Sequence, residues 1–251
     1  GHNHTWYYEY ADIKPLLDEV IRPEHCVLEL GCGDAPLLTK MAECYTAEER
    51  QQEEVGEERK YGQLVAVDYS ASVISALERA RRKLEVSPRL DACLEFRCLD
   101  ARDMSSRFPR HAAATGAARD MSSRFPRHAA TTGAARDMSS RFPRRAAATG
   151  AATARSAEVD ADAETEGEVD VVIDKGTMDA MLCGGNAAAF RDVSAMLREA
   201  LRCCKSNCAY VLISHMQFEQ PQFEDVLDSV IFPLLGESLC AVCFTGELLL
   251  C

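Results

Sequence analysis

Apolar residues recur along the chain in two alternating rhythms. Ile13, Leu16, Leu17 and Val20 repeat at helical spacing and predict a helix over Asp12 to Ile21. The short apolar run Cys26 to Leu30 predicts a strand, and Pro36 to Cys44 a helix with proline in its first turn. Leu64 to Val67 is the next strand. Ser70 suits the N-cap of a helix over Ala71 to Leu84, where Val73, Ala76, Leu77 and Ala80 form a stripe. Leu94 to Leu99 and Val169 to Ile173 follow as strands, the second apolar enough to be covered on both faces. Phe190 to Cys204 predicts a helix, Ala209 to Ser214 a strand, Phe223 to Leu235 a helix and Leu239 to Phe244 an extended segment. Leu248, Leu249 and Leu250 begin a last strand, cut short by the chain end. This order predicts an α/β fold: one domain over residues 1–251, with a doubly wound, mostly parallel seven-stranded sheet and right-handed crossovers. Ligands of such sheets sit beyond the carboxyl ends of the strands, where the strand order reverses.

One stretch breaks the alternation. A seventeen-residue unit occurs three times, over Ala101–Ala117, Ala118–Ala134 and Ala135–Ala151, each copy beginning ARDMSSRFPR. Too few apolar residues are present in a unit for stacking into a solenoid. With the acidic stretch Glu158 to Glu168 that follows, residues 102–168 read as a disordered insertion; a basic arm that docks a partner is the competing reading. A second polar stretch, Glu48 to Lys60, reads as solvated surface or a helix extension.

Charge sharpens the contrast. The net charge is −12, yet residues 101–151 carry +7 and the rest of the chain −19. An acidic body makes nucleic acid an unlikely partner and suits a basic protein surface or a cationic side chain; solubility alone is the plainer explanation. The chain opens on Gly1-His2-Asn3-His4, with neither methionine nor apolar leader, as expected of a chain cut from a longer one. No apolar run is long enough for a membrane span, so a cytoplasmic protein is expected. The 12 cysteines read as reduced thiols and no metal site is expected. A zinc site from Cys203, Cys204, Cys208, Cys240 and Cys243 is the sharper alternative, resting on a single CxxC.

Candidate chemistry gathers at predicted strand ends. In VLELGCGDAPL, Val27 to Leu37, a strand carrying Glu29 runs into Gly31-Cys32-Gly33 and then a helix. Glycines let the backbone turn sharply and approach a ligand, and the helix N-terminus offers unpaired N–H groups. Pro36 stands where a dinucleotide fingerprint would have its third glycine, which disfavours a dinucleotide-dependent oxidoreductase. In VAVDYS, Asp68 ends a strand, where a carboxylate can accept hydrogen bonds from both hydroxyls of a ribose; a helix cap is the alternative. Tyr69 can pack on an adenine. Asp100 and Ala101 end the third strand, where a carboxylate and the next N–H can meet the base edge. A fourth strand ends in Asp174-Lys175-Gly176-Thr177-Met178-Asp179.

VLELGCGDAPL, VAVDYS, the LDAR run and DKGTMDA, in this order, resemble class I S-adenosylmethionine-dependent methyltransferases with a Rossmann-like sheet. The resemblance is to the methyltransferase-like branch that includes lysine methyltransferases of translation elongation factor 1-alpha. TWYYEYADIKPLLDEVIRPEHCVLELGCG and SHMQFEQPQF add to it. The resemblance implies S-adenosylmethionine as cofactor, with S-adenosylhomocysteine as product. It implies cofactor contacts from Trp6, Gly31, Asp68, Tyr69, Asp100, Ala101 and Lys175, with Glu29, Cys32, Gly33, Ser70 and Asp174 in the same motifs. Trp6 would line the methionine end of the pocket or, alternatively, anchor the first helix. Lys175 is otherwise a paired surface lysine. The chain departs from the branch in three ways: it lacks an aromatic segment upstream of Trp6, its repeats begin directly after Asp100, and its C-terminus is short.

Transfer from an activated sulfonium needs positioning and exclusion of water, and a lysine acceptor must first lose its proton. Asp174 is expected to orient the acceptor nitrogen and Asp179 to add to an acidic entrance; both would otherwise cap the following helix. The leading expectation is a protein-lysine N-methyltransferase acting on a basic protein, elongation factor 1-alpha first among them. A small-molecule or RNA methyltransferase and a non-catalytic descendant are the alternatives.

Overall fold

The computed structural model describes residues 9–52, 60–109, 167–214, 241–244 and 247–249. In chain order the elements are α1 (Tyr10–Val20), β1 (Val27–Leu30), α2 (Leu37–Gln52), β2 (Leu64–Asp68), α3 (Ala71–Arg81), α4 (Pro88–Cys93) and β3 (Leu94–Cys98). Then come β4 (Val169–Lys175), α5 (Thr177–Leu182), α6 (Ala187–Cys203), β5 (Cys204–Ser214), β6 (Ala241–Phe244) and β7 (Glu247–Leu249).

The seven strands form one sheet in the order β3-β2-β1-β4-β5-β6-β7. All neighbours are parallel except β6 and β7. The fold is therefore doubly wound α/β. The chain winds outward from β1 to β3, then returns to the other side of β1 with β4, so the order reverses between β1 and β4. Leu30 at the end of β1 pairs with Asp174 near the end of β4, which brings the GCG and DKG turns side by side.

The central strands are buried on both faces, and their alternation divides two cores. On one face Val27, Leu64, Ala66, Val171 and Ile173 meet Ile13 and Leu17 of α1, Leu38 and Met41 of α2, Ile74 and Leu77 of α3 and Leu90 of α4. On the other, Leu28, Leu30, Val65, Val67 and Val172 meet Met178 of α5 and Val193, Met196 and Leu197 of α6. Burial at roughly 25 cal/mol per Å2 of apolar surface is the main stabilising term in both layers.

Local signals explain the helix starts. Ser70 caps α3 by accepting the Val73 N–H, and Asn186 caps α6 by accepting from Ala188 and Ala189. Glu9 and Asp12 form a reciprocal capping box on α1. The short helix α4 was not foreseen, although Ser87-Pro88 is a start signal: Ser87 accepts the Leu90 N–H and Pro88 occupies the first turn. Helix α2 extends to Gln52, into the polar stretch that begins at Glu48. The helix expected over Phe223–Leu235 lies outside the described residues.

The insertion boundary needs correction. Residues 102–109 are not a disordered excursion. Met104 and Phe108 are buried in the core beside α6, and the Met104 N–H donates to Glu199 Oε1 at 2.7 Å. Residues 102–109 of the first repeat copy thus cover the sheet on the crossover from β3 to β4. At the far end, Gly167 packs on the backbone of Cys203 and Cys204, and Glu168 pairs with Arg107 at 3.2 Å. The second and third copies lie outside the described residues. Cys203, Cys204 and Cys208 are buried free thiols, burial pushes the Cys203 thiol up to about 12, and Cys240 lies outside the described residues. No helix among the described residues is long and apolar enough to cross a membrane.

Leu28 is fully buried in the middle of the sheet. Leu28→Ala is expected to destabilise the fold by about 2–5 kcal/mol, read as a lower urea midpoint at unchanged m-value.

Candidate functional site

A cleft of about 510 Å3 opens at the reversal point, above the carboxyl ends of β1, β2, β3 and β4. Gly31, Cys32, Gly33, Asp68, Tyr69, Asp100, Ala101 and Lys175 all line it, so eight of the residues singled out in the sequence meet there. A smaller cavity of about 430 Å3 adjoins it and shares Asp34, Ala35 and Lys175.

The GCG turn is shaped by close approach. Gly31 has φ +55°, and a Cβ there would drive into the Thr177 side chain. Thr177 in turn donates its hydroxyl to the Leu30 carbonyl at 2.7 Å, tying the start of α5 to the end of β1. Gly33 also has positive φ, but nothing lies within 4 Å of where its Cβ would be; that space belongs to the cleft.

Asp68 is the polar centre of the site. Its Oδ2 accepts the Gly33 N–H at 3.0 Å and its Oδ1 the Ser70 N–H at 2.8 Å. The carboxylate is largely buried yet borders the cleft, and a carboxylate can accept about four hydrogen bonds, leaving two for a ligand. Tyr69 is 82% exposed beside it, an aromatic face open to stacking.

Asp100 has a partner that sequence reasoning missed. Arg102 forks onto it, with Nε 2.9 Å from Oδ1 and Nη2 2.7 Å from Oδ2. The Arg102 bond holds the Asp100 carboxyl below its ordinary range. Arg102 Nη1 also donates to Asp192 of α6 at 2.8 Å, so one guanidinium ties β3's end to the opposite wall. The fork was hidden because Arg102 belongs to the repeated unit. Asp192 carries no local signal; only the packing of α6 brings it to the cleft.

Four predicted site residues are placed differently. Glu29 is buried, not at the cleft, and its oxygens accept the Leu37 and Leu38 N–H groups at 2.9 and 3.1 Å. It caps α2. Asp174 is completely buried beneath the cleft floor. Its Oδ1 accepts the N–H groups of Thr177 and Met178 at 2.9 and 3.2 Å, and its Oδ2 accepts the Tyr210 hydroxyl at 3.1 Å. Asp179 is buried and accepts the Ser214 hydroxyl at 2.6 Å, joining α5 to the end of β5. Neither aspartate lines the cleft; Asp174 is engaged by the start of α5 and Tyr210, and Asp179 by Ser214. Ser70 caps α3 and does not line the cleft. Trp6 lies outside the described residues.

Burial dominates the electrostatics of the two caps. It pushes Glu29 up to about 7, against the opposing pull of the Leu37 and Leu38 N–H groups and of Lys175. Asp174 is likewise pushed up to about 7, with the Met178, Tyr210 and Thr177 bonds opposing. Among the described residues no cluster of His, Cys, Asp and Glu is placed to hold a metal ion.

No protein-family model matches the chain, and no curated protein is similar to it in sequence. Solved structures are similar at low identity. The YcgJ protein from Bacillus subtilis is 13% identical, with 88% of this chain over 58% of that one and a TM-score of 0.44. A SAM-dependent methyltransferase from Methanosarcina mazei is 11% identical, with 94% of this chain over 76% of that one and a TM-score of 0.45. Geranyl diphosphate C-methyltransferase from Streptomyces coelicolor, solved with Mg2+, geranyl diphosphate and S-adenosyl-L-homocysteine, is 14% identical, with 80% over 44% and a TM-score of 0.37. The chain thus spans 58% and 44% of the first and third of these. Similarity at this level carries neither activity nor substrate; the class is defined by the sheet and cleft themselves, a doubly wound α/β protein with a cleft at its switch point.

Two outcomes follow from the caps and the turn. Asp174 keeps its proton to about pH 7 in the fold but releases it near pH 4 when unfolded. Its contribution to stability is therefore full below about pH 4 and is lost as pH rises toward 7. In urea titrations Asp174→Asn should gain on the parent protein between pH 5 and 7, with a constant difference above about pH 7.5. Gly31→Ala should destabilise by about 2 kcal/mol or more and should be partly relieved by Thr177→Ala in a double-mutant cycle.

Proposed function

We propose that this chain is an S-adenosylmethionine-dependent methyltransferase. The observation that carries the reading is the Asp68 carboxylate, oriented by the Gly33 and Ser70 amides at the edge of a glycine-lined cleft. The residues present fit the group. The cleft volume lies in the range of small-molecule sites. The space over Gly33 admits a ligand backbone or chain, Asp68 has acceptor capacity for two ribose hydroxyls, and Tyr69 and Asp100 border the place of a base.

When bound, the cofactor supplies a methyl group on a sulfonium, already activated for in-line displacement. The chain's own part is then positioning. Gly31 and Gly33 let the backbone close on the ligand, Asp68 orients the sugar, and Asp100 with the Ala101 N–H selects the base edge. Thr177, Ala180 and Met181 of α5 supply a wall that excludes water. Asp174 and Asp179 act from below as positioning residues that hold α5 in place.

The acceptor we favour is the side-chain amine of a lysine in a basic protein, with elongation factor 1-alpha the leading substrate. Support comes from the −19 charge of the chain outside its repeats, from Asp34 and Asp192 at the cleft, and from the DKGTMDA resemblance. Acidic walls attract a cation and raise its local concentration.

Asp68→Asn keeps one acceptor oxygen but loses the charge. It should weaken S-adenosylhomocysteine binding by about 10- to 100-fold in calorimetry, the loss of charge-assisted bonds to ribose. Unchanged affinity would overturn the assignment. With labelled S-adenosylmethionine and cell lysate, label in a protein band at the mass of elongation factor 1-alpha is expected. Label in RNA or small molecules would replace the acceptor, and binding without label would remove the catalysis.

A further inference from the structure

Residues 102–109 of the first repeat copy are built into the core, and the side chains that anchor them there belong to text shared by all three copies. Met104 and Phe108 are buried. The Met104 N–H donates to Glu199 Oε1 at 2.7 Å. Arg107 pairs with Glu95 at 2.9 Å and Glu168 at 3.2 Å and lies 4.7 Å over the Phe108 ring. These residues belong to ARDMSSRFPR, which recurs unchanged at Ala118–Arg127 and Ala135–Arg144. The partners Glu95, Glu168 and Glu199 lie outside the repeats.

We propose that this slot, between β3 and α6, is an internal docking site for which the copies compete, and that the second copy can replace the first. Met121, Arg124 and Phe125 would then make the contacts of Met104, Arg107 and Phe108. The exchange moves seventeen residues from the connection after the slot to the connection before it. Closure entropy grows only with the logarithm of loop length, so the shift is small beside two large buried side chains.

One contact does not recur, and it lies at the cleft. Asp100 precedes the first copy, whereas Ala117 and Ala134 precede the others. The fork of Arg102 on Asp100 and the short turn from Asp100 to Asp103 exist only in the first register. Exchange therefore frees the Asp100 carboxylate from Arg102, while Leu99 keeps its bond to the Asp68 carbonyl. A ligand that contacts Asp100 is therefore coupled to the register through the Arg102 fork, a coupling that rests on the proposed function; the exchange itself does not.

The test uses the full chain. Phe108→Asp places a charge in the slot of the first register and leaves the other copies intact. It should keep a cooperative urea transition, losing less than about half of the midpoint lost by the triple variant Phe108→Asp, Phe125→Asp, Phe142→Asp. The double variant Phe125→Asp, Phe142→Asp should keep the parent midpoint. In the single variant the peptide spanning 118–127 should gain protection from hydrogen exchange, and the substitution gives the first copy a different mass. A single variant that unfolds like the triple one, or that gains no protection over 118–127, overturns the exchange. So does a single variant folded only as a dimer, since a neighbouring chain would then fill the slot. Failure of S-adenosylhomocysteine to bind would leave these results untouched, so the two readings fail separately.

Discussion

Two helices begin beside the central strands of this sheet, and a buried carboxylate accepts the first N–H groups of each. Glu29 at the end of β1 caps α2 on one face, and Asp174 near the end of β4 caps α5 on the other. The strands are direct neighbours, so the caps sit back to back across the line where the strand order reverses. An uncapped buried helix start would forfeit several hydrogen bonds and the favourable dipole contact. A carboxylate supplies both at the cost of its own desolvation, which is why each proton is held to near neutral pH.

The cleft inherits its shape from these caps. With α2 held by Glu29, residues 31–35 must turn tightly above β1. With α5 held by Asp174, Thr177 comes close enough to exclude any side chain at position 31. Asp68 then joins the second strand to the same turn through the Gly33 amide. Three strand ends are thereby locked to one another before any ligand arrives, the pre-organisation that a site relying on positioning requires. The fourth end, at β3, is held by the Leu99 N–H on the Asp68 carbonyl at 3.0 Å and by an exposed ion pair of Arg102 with Asp100 and Asp192. Exposed pairs contribute little individually, so the backbone bond to β2 is the stronger tie at this edge.

The repeats begin at this same edge, directly after Asp100. The crossover from β3 to β4 covers the sheet with Met104 and Phe108 rather than with a helix among the described residues. Glu199, buried on α6 and paired with Arg202, reaches across to the Met104 amide, and Arg107 pairs with Glu95 and Glu168. A segment of low apolar content has thus become structural through a few well-placed groups.

Much of the architecture was legible in the chain. Strand burial, helix stripes and the caps Ser70 and Asn186 are local, because period and capping depend on neighbours within a turn or two. The seven strands and eight of the cleft residues follow from that logic, as strand ends in a parallel sheet must converge on one edge. What tertiary structure alone decided is which carboxylates face inward. Glu29, Asp174 and Asp179 look like site acids in the sequence, yet whether an acid meets a ligand or a helix start depends on the helix packed against it. Likewise, three identical copies of ARDMSSRFPR are indistinguishable as text, and only the packing around α6 and Glu199 shows that Met104 and Phe108 of the first are core residues. Asp192 entered the cleft for the same reason: distance in space, unlike periodicity, is not written in any local run of residues.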